Sequence, residues 1–341
     1  MRELMVLSLA LAASVVLTWC ILVLCRRFGK YDHPNSRSSH SVPTPRGGGA
    51  GFVIVFLCAV LLLAGGHAVP GNTALALIGG GGSIALLGAL DDQFHLSPWV
   101  RLPFQFAAAI WGAFWIGVPA ILQGSRQGIL IRFLLEITVV LALVWLINLY
   151  NFMDGIDGLA GAEAVSVSGF GGVLMVSCGM LPFARCAFLL TAATAGFLFW
   201  NWPPARIFMG DVGSGFLGFV LGILTLSSIN ARSSLFWSWF ILLSVFTVDS
   251  TLTLARRMVA GARWYEAHCT HAYQHAAKRW RSHLKVTTTI LGINVLWLFP
   301  LAAAACAFPN LGTICAMIAL VPLVGIALRF DAGRDGFRTQ E

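Results

Sequence analysis

Polar residues in this chain are confined to short breaks between long apolar runs. A helix needs ~20 mainly apolar residues to cross a bilayer. Eleven such runs are present, over residues 4–25, 48–65, 73–90, 103–123, 130–150, 159–180, 182–200, 214–229, 235–255, 286–308 and 310–329. None alternates apolar and polar positions as the strands of a membrane barrel do. The expected fold is therefore all-α, a single integral membrane domain spanning 1–341 with about eleven transmembrane helices. The sixth and seventh runs are parted by little more than Leu181-Pro182, and the tenth and eleventh turn at Pro309-Asn310, so each pair should be antiparallel. The first run has the length of a retained helix and not of a cleaved signal peptide.

Composition sharpens this picture. Apolar residues make up 58% of the chain, charged ones 11%, and the mean hydropathy is +0.81. A soluble domain carries ~25% charged residues. A soluble enzyme, a disordered chain, a fibrous repeat and a singly anchored peripheral protein are all excluded. The net charge of +8 reads first as topology, because Lys and Arg collect in cytoplasmic loops. With the loop after the first run in the cytoplasm, seventeen Lys and Arg fall on that side and five on the other. The expected cytoplasmic loops are 26–47, 91–102, 151–158, 201–213 and 256–285. No basic run interleaves with exposed aromatics, so no nucleic acid is expected as a partner. Membrane lipids are, with Lys278, Arg279 and Arg281 suited to anionic headgroups. The eight cysteines include no CxxC pair and read as small hydrophobes, not as a disulfide framework. The run Gly79-Gly80-Gly81-Gly82 lies inside an apolar segment and reads as close helix packing.

The scarce acids change the picture most. Asp91-Asp92 closes the third run, Asp154 and Asp157 follow the fifth, and Asp211 precedes the eighth, all on the side assigned to the cytoplasm. Ionisable groups at such depth are costly, which makes them functional candidates. One acid at a helix end is explained by capping; five from three loops are not. Adjacent carboxylates such as Asp91 and Asp92 repel unless a cation or proton intervenes. A hard divalent cation such as Mg2+ prefers carboxylate and phosphate oxygens. Asn148, Asn151 and Asp154 share one face if the fifth helix continues, while Gly155 and Gly158 suit a tight turn. Amides and acids together can coordinate metal or read the donors and acceptors of a base and sugar. In Phe208-Met-Gly-Asp211-Val-Gly-Ser214-Gly, glycines feed a helix N-terminus that would present N–H groups to phosphate. Asp211 there would be a natural metal ligand, and Phe208 would stack on a base or sit at the membrane interface. Arg37 and Arg46, in a proline-stiffened loop, suit phosphate oxygens. His268, His271 and His275 fit one helix face, but no second ligand pair supports zinc, and the oxygen-rich loops favour Mg2+.

Together these segments resemble the polyprenyl-phosphate N-acetylhexosamine-1-phosphate transferases, the glycosyltransferase family 4 that includes the phospho-MurNAc-pentapeptide translocase. The resemblance covers about residues 30–285 through five ordered motifs: the Pro-Thr-Pro-Arg-Gly-Gly loop, Asp91-Asp92, Asn148 to Leu159, Phe208 to Ser214, and the His-rich loop. It implies transfer of a sugar 1-phosphate from a UDP-N-acetylhexosamine to undecaprenyl phosphate, with release of UMP. It also implies Mg2+ or Mn2+ and a site at the cytoplasmic face of a bacterial inner membrane. By match to the motifs, Asp211 would hold the metal, and Asp91 and Asp92 would be essential acids, one of them a proposed base. Asp157 and Phe208 would bind uracil with Asn151 and Asp154 nearby, and His268 and His271 would contact diphosphate or sugar. A homodimer is compatible with this family.

Two departures bear on the details. His95 stands where many relatives have an acid or Lys. The loop His268-Cys-Thr-His271-Ala-Tyr-Gln is not the triple-His form of the peptidoglycan enzyme and is similar to that of the O-antigen-initiating subgroup. Two other functions fit the sequence less well. An ion-coupled transporter would place its acids at the membrane midplane. A CDP-alcohol phosphatidyltransferase would need Asp-Gly-x-x-Ala-Arg, and neither Asp154-Gly nor Asp157-Gly is followed by Ala-Arg at that spacing.

Overall fold

A computed structural model describes residues 2–34, 42–119, 129–262 and 268–334. Arg37 lies outside the described residues. The chain is helical apart from short connections and one small ribbon. Its helices are α1 (Arg2–Arg27), α2 (Gly49–Gly65), α3 (Gly71–Phe94), α4 (Pro98–Ile116), α5 (Ile129–Met153), α6 (Leu159–Ser177), α7 (Leu181–Asn201), α8 (Asp211–Ala231), α9 (Leu235–Leu242), α10 (Ser244–Val259), α11 (Ala272–Trp280), α12 (His283–Ala307) and α13 (Gly312–Arg329). The protein is thus an all-α, multi-pass membrane protein.

Among the described residues every predicted run falls largely on helix, the fourth as far as Ile116. Among the described residues, eight helices are long and apolar enough to cross a membrane: α1, α3, α5, α6, α7, α8, α12 and the segment Pro309–Arg329. The ninth run is two helices, α9 and α10, bent by 64°. The remaining two fall short for different reasons. Helix α2 has 17 residues, and α4 carries Arg101, Pro103 and Gln105 within its 19.

The helix ends alternate without a break. At one end of the bundle, α1 delivers the Cys25 thiol to the Arg46 carbonyl, and α3 delivers Asp92 to the start of α8. The last turns of α5 and α7 bring Asn151 to Asp211 and Asn201 to Gly158 at the start of α6. Beyond α13, the Phe330 carbonyl meets His275 of α11. At the other end, Glu3 of α1 pairs with Arg185 of α7, and Asn230 of α8 donates to the Ile116 carbonyl of α4. Odd-numbered runs finish, and even-numbered runs begin, at the first end.

Helix α8 is the core of the bundle, buried over nearly its whole length. It packs against α3 and α5 along its glycines. A Cβ on Gly218 would collide with the Leu146 carbonyl of α5, and one on Gly88 of α3 would collide with the Asp211 carbonyl. Such small residues let backbones approach closely in a lipid medium. The run Gly79–Gly82 serves the same end: the backbone widens into a π-helical turn over Ala76–Gly81, with Gly79 against Trp111 and Gly80 and Gly81 against Phe219 and Phe216. Phe216 also packs edge-on to Phe56, at 5.7 Å between ring centroids.

Candidate active site

The site is assembled where the helix ends meet. It starts from a two-stranded ribbon, β1 (Tyr31–Asp32) and β2 (Thr44–Pro45), paired antiparallel. The ribbon runs into a turn that docks on the segment before α8. The Phe208 N–H donates to the Pro45 carbonyl (2.8 Å), and the Phe208 carbonyl accepts from the N–H groups of Gly47 (3.2 Å) and Gly48 (2.9 Å). Gly47 takes φ +99°, a conformation that favours glycine. This docking fixes Arg46.

Arg46 then bridges two acids. Its Nε lies 2.8 Å from Asp92 Oδ1 and a terminal nitrogen lies 2.8 Å from Asp211 Oδ1, with Asp32 at 3.8 Å. Burial works against the charged guanidinium, but Asp211, Asp92, Asp32 and Asp154 outweigh it and hold the Arg46 pKa above its ordinary value. Asp211 Oδ1 also accepts from Asn151 Nδ2 at 2.9 Å, and the same nitrogen reaches Ser214 Oγ at 3.2 Å.

Asp92 uses both oxygens. Oδ1 accepts the Asp211 N–H (2.9 Å) and Oδ2 the Val212 N–H (3.1 Å), so a side chain of α3 caps the N-terminus of α8. Helix starts leave their first N–H groups unpartnered, and a carboxylate there is favoured by the dipole. Asp91, only 6% exposed, accepts the Leu96 N–H at 2.7 Å and pairs with Arg101 at 2.6 Å. Arg101 lies 3.8 Å from Asp211 Oδ2. His95 is exposed at the end of α3 in the left-handed conformation, φ +50°.

A cleft of about 180 Å³ opens beside this cluster, lined in part by Asp32, Arg46, Asn151, Asp154, Asp157, Asn201, Phe208, Asp211, Gln274 and His283. Asp157 is held at its rim. Its Oδ2 accepts the Ala205 N–H at 3.1 Å and lies 3.3 Å from His283 Nδ1, and its carbonyl accepts from Thr287 at 3.0 Å. Asp154 differs: among the described residues no donor hydrogen-bonds its carboxylate. Burial, opposed by Arg46 and reinforced by Asp211, Asp92 and Asp157, pushes the Asp154 pKa well above the usual carboxylate range.

Three expected residues stand elsewhere. Asn148 points away along α5, donating to Gln105 Oε1 of α4 (2.7 Å) and to the Val144 carbonyl (2.8 Å). One helical turn separates it from Asn151, which is enough to move it off the cleft. His268 and His271 stack on each other at 5.0 Å and do not line the cleft, although Gln274 from the same segment does. His271 is 1% exposed and is placed by Asp249 of α10, which lies 3.3 Å from its Nδ1. Asp249 also accepts the N–H groups of Ala272 (2.9 Å) and Tyr273 (3.0 Å), capping α11 as Asp92 caps α8. Burial, with the charges of His271 and Arg257 and against Asp249, lowers the His268 pKa to about 3, leaving a neutral imidazole at pH 7.

Sequence reading missed Asp32, Arg101, Asn201, Asp249 and His283 as site residues. In the sequence Arg101 reads only as one of the basic loop residues that set topology. Asp249, the lone acid of the ninth run, carried the same signal of membrane depth that singled out the others.

Among the described residues no three or more His, Cys, Asp and Glu side chains are grouped to hold a metal by themselves. A cation in this cleft would depend on substrate phosphates and water for most of its ligands, as Mg2+ does at phosphate-transfer sites. The donor set fits that use. Four carboxylates, Asp32, Asp154, Asp157 and Asp211, line the cleft with the Arg46 guanidinium, and among the described residues no donor hydrogen-bonds Asp154. A diphosphate could enter only with its charge offset.

Known proteins resemble this chain over much of its length. Residues 74–229 match the model of glycosyl transferase family 4. A probable undecaprenyl-phosphate N-acetylglucosaminyl 1-phosphate transferase of Bacillus subtilis is 30% identical over 258 residues, covering 73% of this chain and 70% of that protein. A decaprenyl-phosphate N-acetylglucosaminephosphotransferase of Mycolicibacterium smegmatis is 29% identical over 328 residues, covering 85% and 79%. A phospho-N-acetylmuramoyl-pentapeptide-transferase of Gloeothece citriformis is 30% identical over 271 residues, covering 73% and 70%. With its acids gathered on one cleft and these relatives along most of its length, the chain belongs to the polyprenyl-phosphate N-acetylhexosamine-1-phosphate transferases of glycosyl transferase family 4.

Proposed function

We propose that the protein transfers an N-acetylhexosamine 1-phosphate from its UDP-sugar to undecaprenyl phosphate and releases UMP, initiating O-antigen or a related surface glycan. The relatives named for N-acetylglucosamine transfer support an N-acetylhexosamine donor, and the His268–His271 loop, unlike the triple-His form, argues against a muropeptide. In this reading all eleven runs cross the bacterial inner membrane and the cleft opens to the cytoplasm. The unbroken alternation of helix ends and the excess of basic residues on the cleft side support both points.

One observation carries the reading: acids from three separate segments line a cleft with Arg46 at the N-terminus of α8, and Asp92 from a fourth pairs with that Arg46. In the reaction an oxygen of the lipid phosphate attacks the β-phosphorus of the donor, and the bond to the bridging oxygen of UMP breaks. A phosphomonoester has its second pKa near ~6, so the nucleophile is already largely ionised at neutral pH. A strong base is therefore unnecessary. Asp91 and Asp92, both fully engaged in hydrogen bonds, act as positioning residues for Arg101, Arg46 and the start of α8. Arg46 faces the phosphates, Phe208 and Asp157 the uracil, and Asn151 orients Asp211. Mg2+ or Mn2+, held by Asp211 and Asp154, would supply charge neutralisation for the developing phosphates.

The test is UMP release by purified protein given undecaprenyl phosphate and a panel of UDP-N-acetylhexosamines. Release should require the lipid phosphate and the divalent cation, and Asp211→Asn should abolish it in a folded protein. No UMP from any donor, or near-normal turnover by Asp211→Asn at saturating Mg2+, would overturn the assignment.

A further inference from the structure

The Sγ atoms of Cys178 and Cys306 lie 3.4 Å apart, across 128 residues of chain. Cys178 follows the last residue of α6, and Cys306 is the penultimate residue of α12. Both helices start at the cleft, where Asp157 meets His283, so the sulfur pair sits at the opposite end of the bundle. Polar contacts mark that end: Arg232 donates to the Cys178 carbonyl at 3.0 Å. Both cysteines are half-buried residues.

The same two helices are joined at two further levels. At the cleft, Asp157 binds His283 and Thr287. Within the membrane, Asn294 of α12 donates to Glu163 Oε2 (2.5 Å) and to Ser166 Oγ (2.8 Å) of α6. The far end lacks only a covalent link.

We propose that Cys178 and Cys306 form a disulfide that ties the outer end of α6 to that of α12. A disulfide bond is ~2.05 Å long, so the sulfurs need to approach by roughly 1.4 Å, within reach of side-chain rotation. Orientation supplies the setting, and here the inference rests on the proposed topology. With the cleft in the cytoplasm, the pair faces the exterior, where disulfides form and persist. The step is thiol–disulfide exchange with an exogenous disulfide, either a low-molecular-weight one or that of an oxidoreductase. One cysteine sulfur attacks it and displaces a thiol; the second attacks the mixed disulfide, forms the Cys178–Cys306 bond and displaces the other thiol. The two protons lost from the cysteines end on the two released thiols.

The full-length protein is expressed in a bacterium with a disulfide-forming periplasm, and free thiols are alkylated with N-ethylmaleimide at lysis. Peptide mass spectrometry should find residues 178 and 306 in one linked species, lost on reduction and absent from Cys178→Ser and from Cys306→Ser. The purified reduced protein should regain the link with glutathione disulfide, and the linked form should unfold at higher temperature. Alkylation of both cysteines before reduction overturns the proposal. If glutathione disulfide then still closes the link in purified protein, orientation is the faulty premise; if it does not, the geometry is. UMP release reads the catalytic proposal independently, because neither cysteine borders the cleft.

Discussion

Replacing Asp92 with Asn separates a positioning role from a proton-accepting one. The carboxylate takes two backbone N–H groups at the start of α8 and the Arg46 Nε. An Asn side chain keeps one oxygen. Its amide then opposes either the Val212 N–H or both the Asp211 N–H and the guanidinium. Loss of a hydrogen bond to a charged acceptor costs about 1.5–3 kcal/mol. The favourable meeting of an anion with a helix N-terminus contributes about 0.3–1 kcal/mol more. Arg46 retains Asp211, so the full cost of an orphaned buried cation is not incurred. Asp92→Asn should therefore destabilise the protein by about 2–4 kcal/mol and displace Asp211 enough to lower turnover. Thermal unfolding in detergent, followed beside UMP release, measures both. A variant as stable as the parent but without turnover would refute the capping role and return Asp92 to the position of a base.

Three other outcomes are expected. A cation must displace the proton that Asp154 holds above the usual carboxylate range, so Mg2+ titration should release protons and apparent affinity should rise with pH; calorimetry in buffers of different ionisation enthalpy checks this, and Asp154→Asn should flatten the dependence. The unfolded chain protonates His268 near its ordinary value of 6.5 and the folded protein only near 3, so the contribution of this residue to stability is complete above pH 6.5 and declines as pH falls towards 3; His268→Gln should reduce the slope of unfolding temperature in that window. Gly88→Ala would drive a methyl group into the Asp211 carbonyl and should cost about 3 kcal/mol with loss of activity, whereas Gly292→Ala, which meets open space on α12, should be neutral or stabilising on the same unfolding assay.

Hydropathy reports a local property, and the local part of this fold was legible. Eleven apolar runs became helices, and the acids at their ends meet because antiparallel helices bring alternate ends together. The bend between α9 and α10 was not legible, since Leu242-Leu243-Ser244 carries neither Pro nor Gly. Nor was the direction of Asn148. Its spacing suits the face of Asn151, but Gln105 on α4 offers its amide a partner that only tertiary packing reveals. The same holds for the caps. Asp92 and Asp249 satisfy helix starts 119 and 23 residues away, beyond the reach of any window along the chain. Arg101 paired with Asp91 could have been suspected from their ten-residue spacing across one short loop, had its charge not already served to orient the protein.

The carboxylate of α3 that seats the start of α8 has a consequence for biogenesis. The chain is inserted from its N-terminus, so Arg46 and Asp92 reach the membrane surface long before Asp211 is synthesised. Until α8 arrives Arg46 has Asp92 and Asp32 as its acidic partners and lacks Asp211. The arrival of α8 is not the last step, because Gln274 and His283, which also line the cleft, follow it in the chain and close the site from the segments after α10.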